Sequence, residues 1–309
     1  KLTKLFNCSN SFKFKSFIIP STKVLKKIGY VKRKQMKLTW KAHRGALAEV
    51  CAEFPNHKTF VILAQDRNSS GGKRYAAVRY EDFRRLKRLD NQNLLEVVRA
   101  GPSRLYFDLE HYRVPVDTEF EIPSDKQLVD ILVLFVQEQL KAEFGLTSTC
   151  IKLDSCTKKK FSYHLVFVEA VFQNNFCAMK NFVTFVIQKM IKHPVLGQLY
   201  VREGKKPVLL IDPQPYGRRQ CFRLAGQSKY GKRALLKTNH ALPETLVGLY
   251  TEQAPQLLTF GAQPKQKSIK TTGKRGAISL ASGDSYQILQ DGLVVPAGWS
   301  DKDDVTETE

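Results

Sequence analysis

Two acids one residue apart, Asp108 and Glu110, stand in the run Leu105-Tyr106-Phe107-Asp108-Leu109-Glu110. On a strand, alternate residues face opposite sides. Leu105, Phe107 and Leu109 are then expected in a core, with both carboxylates projecting from the other face. Neighbouring like charges repel unless something positive lies between them. A divalent cation is the usual resolution, because hard cations prefer carboxylate oxygen. The plain alternative is the solvated face of an amphipathic strand.

A second element is Lys160-Phe161-Ser162-Tyr163-His164-Leu165. The same period of two puts Ser162 and His164 on one face and Phe161, Tyr163 and Leu165 on the other. A hydroxyl and an imidazole side by side can both donate to phosphate oxygens, and Lys158-Lys159-Lys160 adds positive charge. Taken singly, the lysines read as a solvated turn and the histidine as a satisfied surface or core residue. A third element, Leu209-Leu210-Ile211-Asp212-Pro213, ends an apolar run in a carboxylate. Asp before Pro is also a common turn start.

The elements that must position these residues are legible around them. Thr59 to Leu63 and Tyr75 to Tyr80 read as strands of a hairpin around Ser69-Ser70-Gly71-Gly72, followed by a short basic helix from Glu81 to Arg88. Leu105 to Glu110 reads as a strand. Ser124 to Phe144 reads as a helix, with a Ser124/Gln127 capping box, apolar residues at helical spacing from Leu128 to Leu140, and Gly145 as its stop. Ile151 to Asp154 and Phe161 to Val168 form a second hairpin. Asn175 to Lys192 is a second amphipathic helix, and Val208 to Asp212 and Cys221 to Leu224 are strands. Strands and helices alternating with hairpins predict an α/β or α+β sandwich, with helices on one face of a mixed sheet.

Composition limits the partners. The 309 residues hold 50 Lys and Arg against 29 Asp and Glu, a formal net charge of +21. So large a surplus points to a polyanion, nucleic acid before an anionic membrane. The longest purely apolar run, Ile131 to Val136, is far short of the roughly 20 residues of a membrane span, so no membrane partner is expected. None of the six cysteines forms a C-x-x-C pair or a Cys/His cluster with zinc spacing. They are read as reduced thiols of an intracellular protein.

The ordered set of D-x-E strand, helix, S-x-H hairpin, helix and terminal Asp resembles the archaeo-eukaryotic primase superfamily, within it the eukaryotic primase-polymerase branch. Arg104 to Glu110 resembles the family's first motif. Leu153 to Phe167, with its Asp-Ser lead-in, resembles the second. Ile211 to Leu224, continuing through Ser228-Lys-Tyr-Gly-Lys232, resembles the third, and Gln65 to Arg74 an early basic motif. The likeness covers roughly residues 40 to 260. It implies an α+β catalytic core, an RRM-like mixed sheet with helices on one face and a smaller α/β module. It also implies Mg²⁺ or Mn²⁺ in a two-metal site on Asp108, Glu110 and Asp212. The triphosphate of the incoming nucleotide would be bound by Ser162, His164, Arg74, Lys160, Arg223 and Lys229. Partners would be a single-stranded DNA template with its primer and dNTP or NTP; the acidic residues from Asp301 onward suit a basic groove, as on a single-strand-binding protein. The chain would act as a monomer in replication past lesions and restart of stalled forks. Where Gln220 stands the family often has a basic residue.

Three regions are expected: a basic arm or targeting segment over 1–39, the catalytic core over 40–260 and a low-complexity, disordered tail over 261–309. The first acid is Glu49, and Lys, Ser and Thr abound before it. A mitochondrial transit segment, a phosphate-touching arm and a nuclear import signal at Lys32-Arg33-Lys34 all fit this region, so the expected residence is nucleus or mitochondrion. After residue 260 there is no Cys and no His. Full-length members of the family carry a C-terminal zinc module, so either the sequence is truncated or this member lacks it; no zinc is expected in these residues, and primer extension is expected rather than de novo priming. Two rivals share part of the pattern. A metal nuclease would need the carboxylates but not the triphosphate clamp. A non-catalytic single-strand binder would use the basic arms with Phe83, Tyr112 and Tyr216 as stacking rings.

Overall fold

The computed structural model describes residues 38–85, 90–112, 123–198, 208–217, 219–250 and 256–261, with three short strands in the tail. The N-terminal arm over 1–37 lies outside the described residues. So do the end of the expected helix at 86–88 and the Tyr112 side chain.

Helix α1 (Ala46–Glu53) precedes the hairpin of β1 (Phe60–Asp66) and β2 (Lys73–Arg79), and a single helical turn, α2 (Tyr80–Phe83), follows. Strands β3 (Leu94–Arg99) and β7 (Arg219–Arg223) complete a four-stranded sheet in the order β2-β1-β3-β7. A second sheet, in the order β4-β6-β5, is built from β4 (Ser103–Tyr112), β5 (Cys150–Asp154) and β6 (Lys160–Phe172). Every ladder among the described strands is antiparallel, where the sequence suggested a mixed sheet. The parallel contact that occurs is an isolated bridge, Phe172 to Leu258. The class is α+β.

Helix α3 (Asp125–Phe144) starts at Ser124, with the reciprocal Ser124/Gln127 capping box, and stops at Gly145 in the left-handed conformation, φ 65°. The expected helix from Asn175 begins instead as a π-helical turn (Asn175–Met179), capped by Asn174, and continues as α4 (Lys180–Met190). The faces of the second sheet follow from its register. Phe107 opposes Leu165 and Leu109 opposes Tyr163, and these turn toward the helices, where Lys152 pairs with Asp130 of α3. The opposite face meets the four-stranded sheet. His164, Tyr106 and Tyr216 stack there on Phe222 or on one another. One continuous core joins Leu105, Phe107, Leu132, Val136, Phe167 and Phe182 to Val98 and Phe222. A smaller cluster of Val50, Ile62, Ala64 and Val97 lies under α1.

Three departures from expectation bear on the site. Val208 to Asp212 forms no ladder. It lies against β4 through one isolated bridge, Ile211 to Leu109, because Pro213 ends the segment's pairing. Strand β3 was not expected. Its Glu96 breaks the apolar run, yet it is 1% exposed and accepts hydrogen bonds from the Val247 and Gly248 amides, both at 2.8 Å, and from the Tyr250 hydroxyl at 2.7 Å. The pairing of β4 with β6 shifts register between Arg104 and Leu105. In the tail, Gly276–Ser279, Ser285–Ile288 and Val294–Pro296 form a small antiparallel sheet of their own, β8 to β10. No helix among the described residues is long and apolar enough to cross a membrane.

Candidate active site

The β4–β6 ladder sets Asp108 opposite His164 and Glu110 opposite Ser162. Registered pairs share a face, so all four side chains leave the sheet on the side away from the helices. The segment before Pro213 is laid along β4: the Glu110 amide donates to Leu210 O at 3.2 Å, and the Asp212 amide to Asp108 O at 2.9 Å. Asp212 is thereby a backbone neighbour of Asp108. Burial raises the pKa of the Asp108 carboxyl. Burial and then the nearby Asp108 charge raise that of Asp212, against the hydrogen bond from Gln214 N–H. Neither carboxylate forms an ion pair with a lysine or arginine among the described residues.

Glu110 is held differently. Its carboxylate pairs with the Lys160 ammonium and lies 3.5 Å from Lys229 Nζ. Among the described residues no three His, Cys, Asp or Glu side chains stand together as a metal cluster. Asp108 and Asp212 are brought together; Glu110, on the same face, is turned to lysines.

The His164 ring is 2% exposed and stacks on Phe222 with centroids 4.2 Å apart. Burial, and then the Arg223 and Lys229 charges, hold its pKa well below the ordinary value. It is therefore a neutral imidazole, and its Nε2, 3.6 Å from Asp108 Oδ1, is beyond hydrogen-bond length. Its Nδ1 is buried with no hydrogen-bond partner among the described residues. Ser162 is buried, accepting from Ser155 Oγ at 2.9 Å, and Ser155 in turn accepts from Arg223 Nη1 at 3.4 Å. Burial, and then Lys229 and other cations, push the Lys160 ammonium down to about 8, against the pull of Asp108. Arg223 closes the group from the end of β7, and Lys229 follows in the next loop. Arg74 stands on edge strand β2, with β1 and β3 between it and β7. It is paired opposite Gln65 with its guanidinium 4.6 Å above the Trp40 ring.

Two of the three aromatic rings expected to stack bases, Phe83 and Tyr216, are in the wrong place for it. Phe83 is fully buried and Tyr216 is 4% exposed. Tyr216 serves the site indirectly, since its hydroxyl donates to Tyr106 O at 2.8 Å while the Tyr106 hydroxyl donates to Pro215 O. Asn175 Nδ2 donates to Gly217 O at 2.6 Å. The tyrosine bonds clamp the chain just after Asp212 onto β4, and the Asn175 bond ties it to the π-helical turn. Sequence reasoning gave Tyr106 and Asn175 no role, because their partners are backbone atoms more than a motif's length away.

No family model matches the chain. Over 208 residues, 60% of this chain, it is 27% identical to the "Putative primase" of Ostreid herpesvirus 1 (isolate France), of which the match spans 17%. Over 142 residues, 42% of this chain, it is 28% identical to the DNA-directed primase/polymerase protein of Gallus gallus, of which the match spans 24%. The chain thus matches about a fifth of the length of these curated relatives, and it is a distant, primase/polymerase-like relative of both.

Proposed function

We propose that the chain is the catalytic core of a DNA-directed primase/DNA polymerase that adds nucleotides to a primer by phosphoryl transfer. One observation carries the reading: the backbone pairing that opposes Asp108 to His164 and Glu110 to Ser162, with Asp212 hydrogen-bonded in beside Asp108. The distant likeness to a named primase and a named primase/polymerase supports it, and so does the charge of +21 toward a nucleic-acid partner. We read the α+β architecture accordingly as the primase catalytic core.

Two adjacent half-buried carboxylates, with Lys160, Lys229 and Arg223 bearing on the first only through space, have the donor chemistry of a hard divalent cation. Asp108 and Asp212 would hold Mg²⁺ or Mn²⁺, with Glu110 joining once it leaves its lysines, and the metal would neutralise charge at the transferring phosphoryl group. Phosphoryl transfer asks chiefly for positioning and charge stabilisation. Phe222 fixes the plane of the His164 ring, and the neutral imidazole and the Ser162 hydroxyl offer hydrogen bonds to phosphate oxygens. Arg223, Lys160 and Lys229 supply positive charge around the triphosphate. Arg74 would add its charge from edge strand β2 of the sheet that carries Arg223. The wider role we assign is lesion bypass and repriming of stalled forks, in nucleus or mitochondrion, beside a single-strand-binding protein.

The test is extension of a primed template by purified protein. The Asp108→Ala, Glu110→Ala double variant is expected to lose at least about a hundred-fold in rate while keeping its fold by circular dichroism. Equal extension by both proteins overturns the assignment.

A further inference from the structure

Beyond β7 the chain makes a loop whose base is pinned. The Gly226 amide donates to Leu236 O at 2.7 Å, and the Leu236 amide to Gln227 O at 2.9 Å. Gln227 is fully buried, its Oε1 accepting from the amides of Gln92 at 2.8 Å and Leu94 at 3.2 Å. Ser228 is 2% exposed. Its hydroxyl accepts from Asn91 and Asn93, and its amide donates to Asn91 Oδ1 at 3.0 Å. Past these anchors, Lys229-Tyr230-Gly231-Lys232-Arg233 is exposed throughout. The Lys232 amide donates to Lys229 O at 3.0 Å, so these four residues form a β-turn. Gly231 occupies its third position at φ 67°, a conformation that favours glycine there. Tyr230 holds the second position.

The Tyr230 ring is 43% exposed and stacks on no ring among the described residues. Its loop carries three cations and no acid. Lys229 reaches the carboxylate of Glu110, and Lys232 lies close enough for its charge to bear on Lys160. A single exposed tyrosine is ordinary on a surface. A tyrosine on a rigidly anchored turn, flanked by Lys229 on Glu110 and by the exposed Lys232 and Arg233, and set beside the acidic face of β4, presents a flat ring for a base and charges for the phosphates on either side. That is the chemistry of single-stranded nucleic acid. An acidic protein would satisfy the cations but has no use for the open ring face.

We propose that Tyr230 is a stacking platform for a nucleobase of the single strand at this site, with Lys232 and Arg233 contacting the adjoining phosphates. The inference deepens the polymerase reading and rests on it for which strand is held; stacking itself requires no catalysis. The experiment therefore reads binding without metal or nucleotide, by anisotropy of a labelled oligodeoxythymidylate across a range of salt.

Tyr230→Ala is expected to weaken binding roughly five- to hundred-fold, and Tyr230→Trp to retain it. The slope of log K against log salt stays unchanged in Tyr230→Ala, since stacking releases no counterions. Lys232→Ala lowers that slope by about 0.7. Because the ring is exposed, the Tm of Tyr230→Ala matches that of the wild type. Unchanged affinity in Tyr230→Ala overturns the proposal, as does Tyr230→Trp binding as weakly as Tyr230→Ala, or a salt slope in Tyr230→Ala that falls as for a lost lysine. The Asp108→Ala, Glu110→Ala protein in the primer-extension assay, set beside this binding measurement, separates the two readings. If it extends normally while Tyr230→Ala loses binding, the polymerase reading fails and stacking stands. If it loses extension while Tyr230→Ala binds normally, stacking fails alone.

Discussion

The amide of Asp212 donates to the carbonyl oxygen of Asp108 at 2.9 Å, so a backbone bond holds two partly buried carboxylates side by side. Such a pair stores repulsion that a cation relieves. Asp108→Asn removes one charge while keeping the shape. In chelator-treated buffer at neutral pH this variant is expected to melt a few degrees above the wild type, at about 2–4 °C per kcal/mol relieved. Added Mn²⁺ should raise the Tm of the wild type and leave the variant nearly unmoved. A wild type indifferent to Mn²⁺, or a variant less stable than the wild type without metal, would count against the pair as a cation site.

Glu96 gives a stability signature away from that pair. Burial raises its pKa above the ordinary value of 4.5, opposed by its three hydrogen bonds and by Arg104. Between the ordinary value and the raised one, the folded protein holds a proton that the unfolded chain has released. Stability attributable to Glu96 therefore falls as pH rises through that window and levels off above it. Glu96→Gln should abolish this slope. It should also cost about 1–3 kcal/mol at neutral pH, because the new amide N–H faces the Val247 N–H. Urea melts of both proteins at a series of pH values decide the matter.

Tyr216 tests whether the chain after Asp212 must be clamped. Tyr216→Phe keeps the ring against Tyr106 and deletes the hydroxyl that donates to Tyr106 O. Stability is expected to fall by only about 1 kcal/mol. The Mn²⁺ concentration for half-maximal extension should rise several-fold, with the affinity for single-stranded DNA unchanged. A purely structural role would lower Tm without moving the metal requirement.

Much of the scaffold is legible in the residues because local rules and tertiary packing agree. Helix α3 carries its cap, its stop and its apolar spacing in the sequence, and alternation is plain in β4 from Leu105 to Glu110 and in β6 from Phe161 to Leu165. Strand β3 is illegible because Glu96 makes sense only once Val247, Gly248 and Tyr250 arrive from far along the chain. The segment before Asp212 reads as a strand, yet it takes only isolated bonds from β4. Within the site, parity foretells that Asp108, Glu110, Ser162 and His164 share a face. It gives no hint that Glu110 turns to Lys160 and Lys229, since the first contact needs the β4–β6 register, which sets Lys160 diagonally across from Glu110, and the second a loop conformation. The stacking rings are mistaken for a related reason: a Phe or Tyr in a sequence does not declare its exposure, and Phe83 and Tyr216 went to the core.

The shift in pairing between Arg104 and Leu105 has a consequence for how this chain can change length. Beyond it, Leu105 to Tyr112 keeps a phase of its own against β6. Residues gained or lost nearer Ser103, where Gly248 joins only by an isolated bridge, can be absorbed at that discontinuity. A single residue gained within the uninterrupted stretch would exchange the two sides of the strand, delivering phenylalanine or leucine where the acids now stand. Divergent copies should therefore vary freely in length before Leu105 and hardly at all between it and Tyr112.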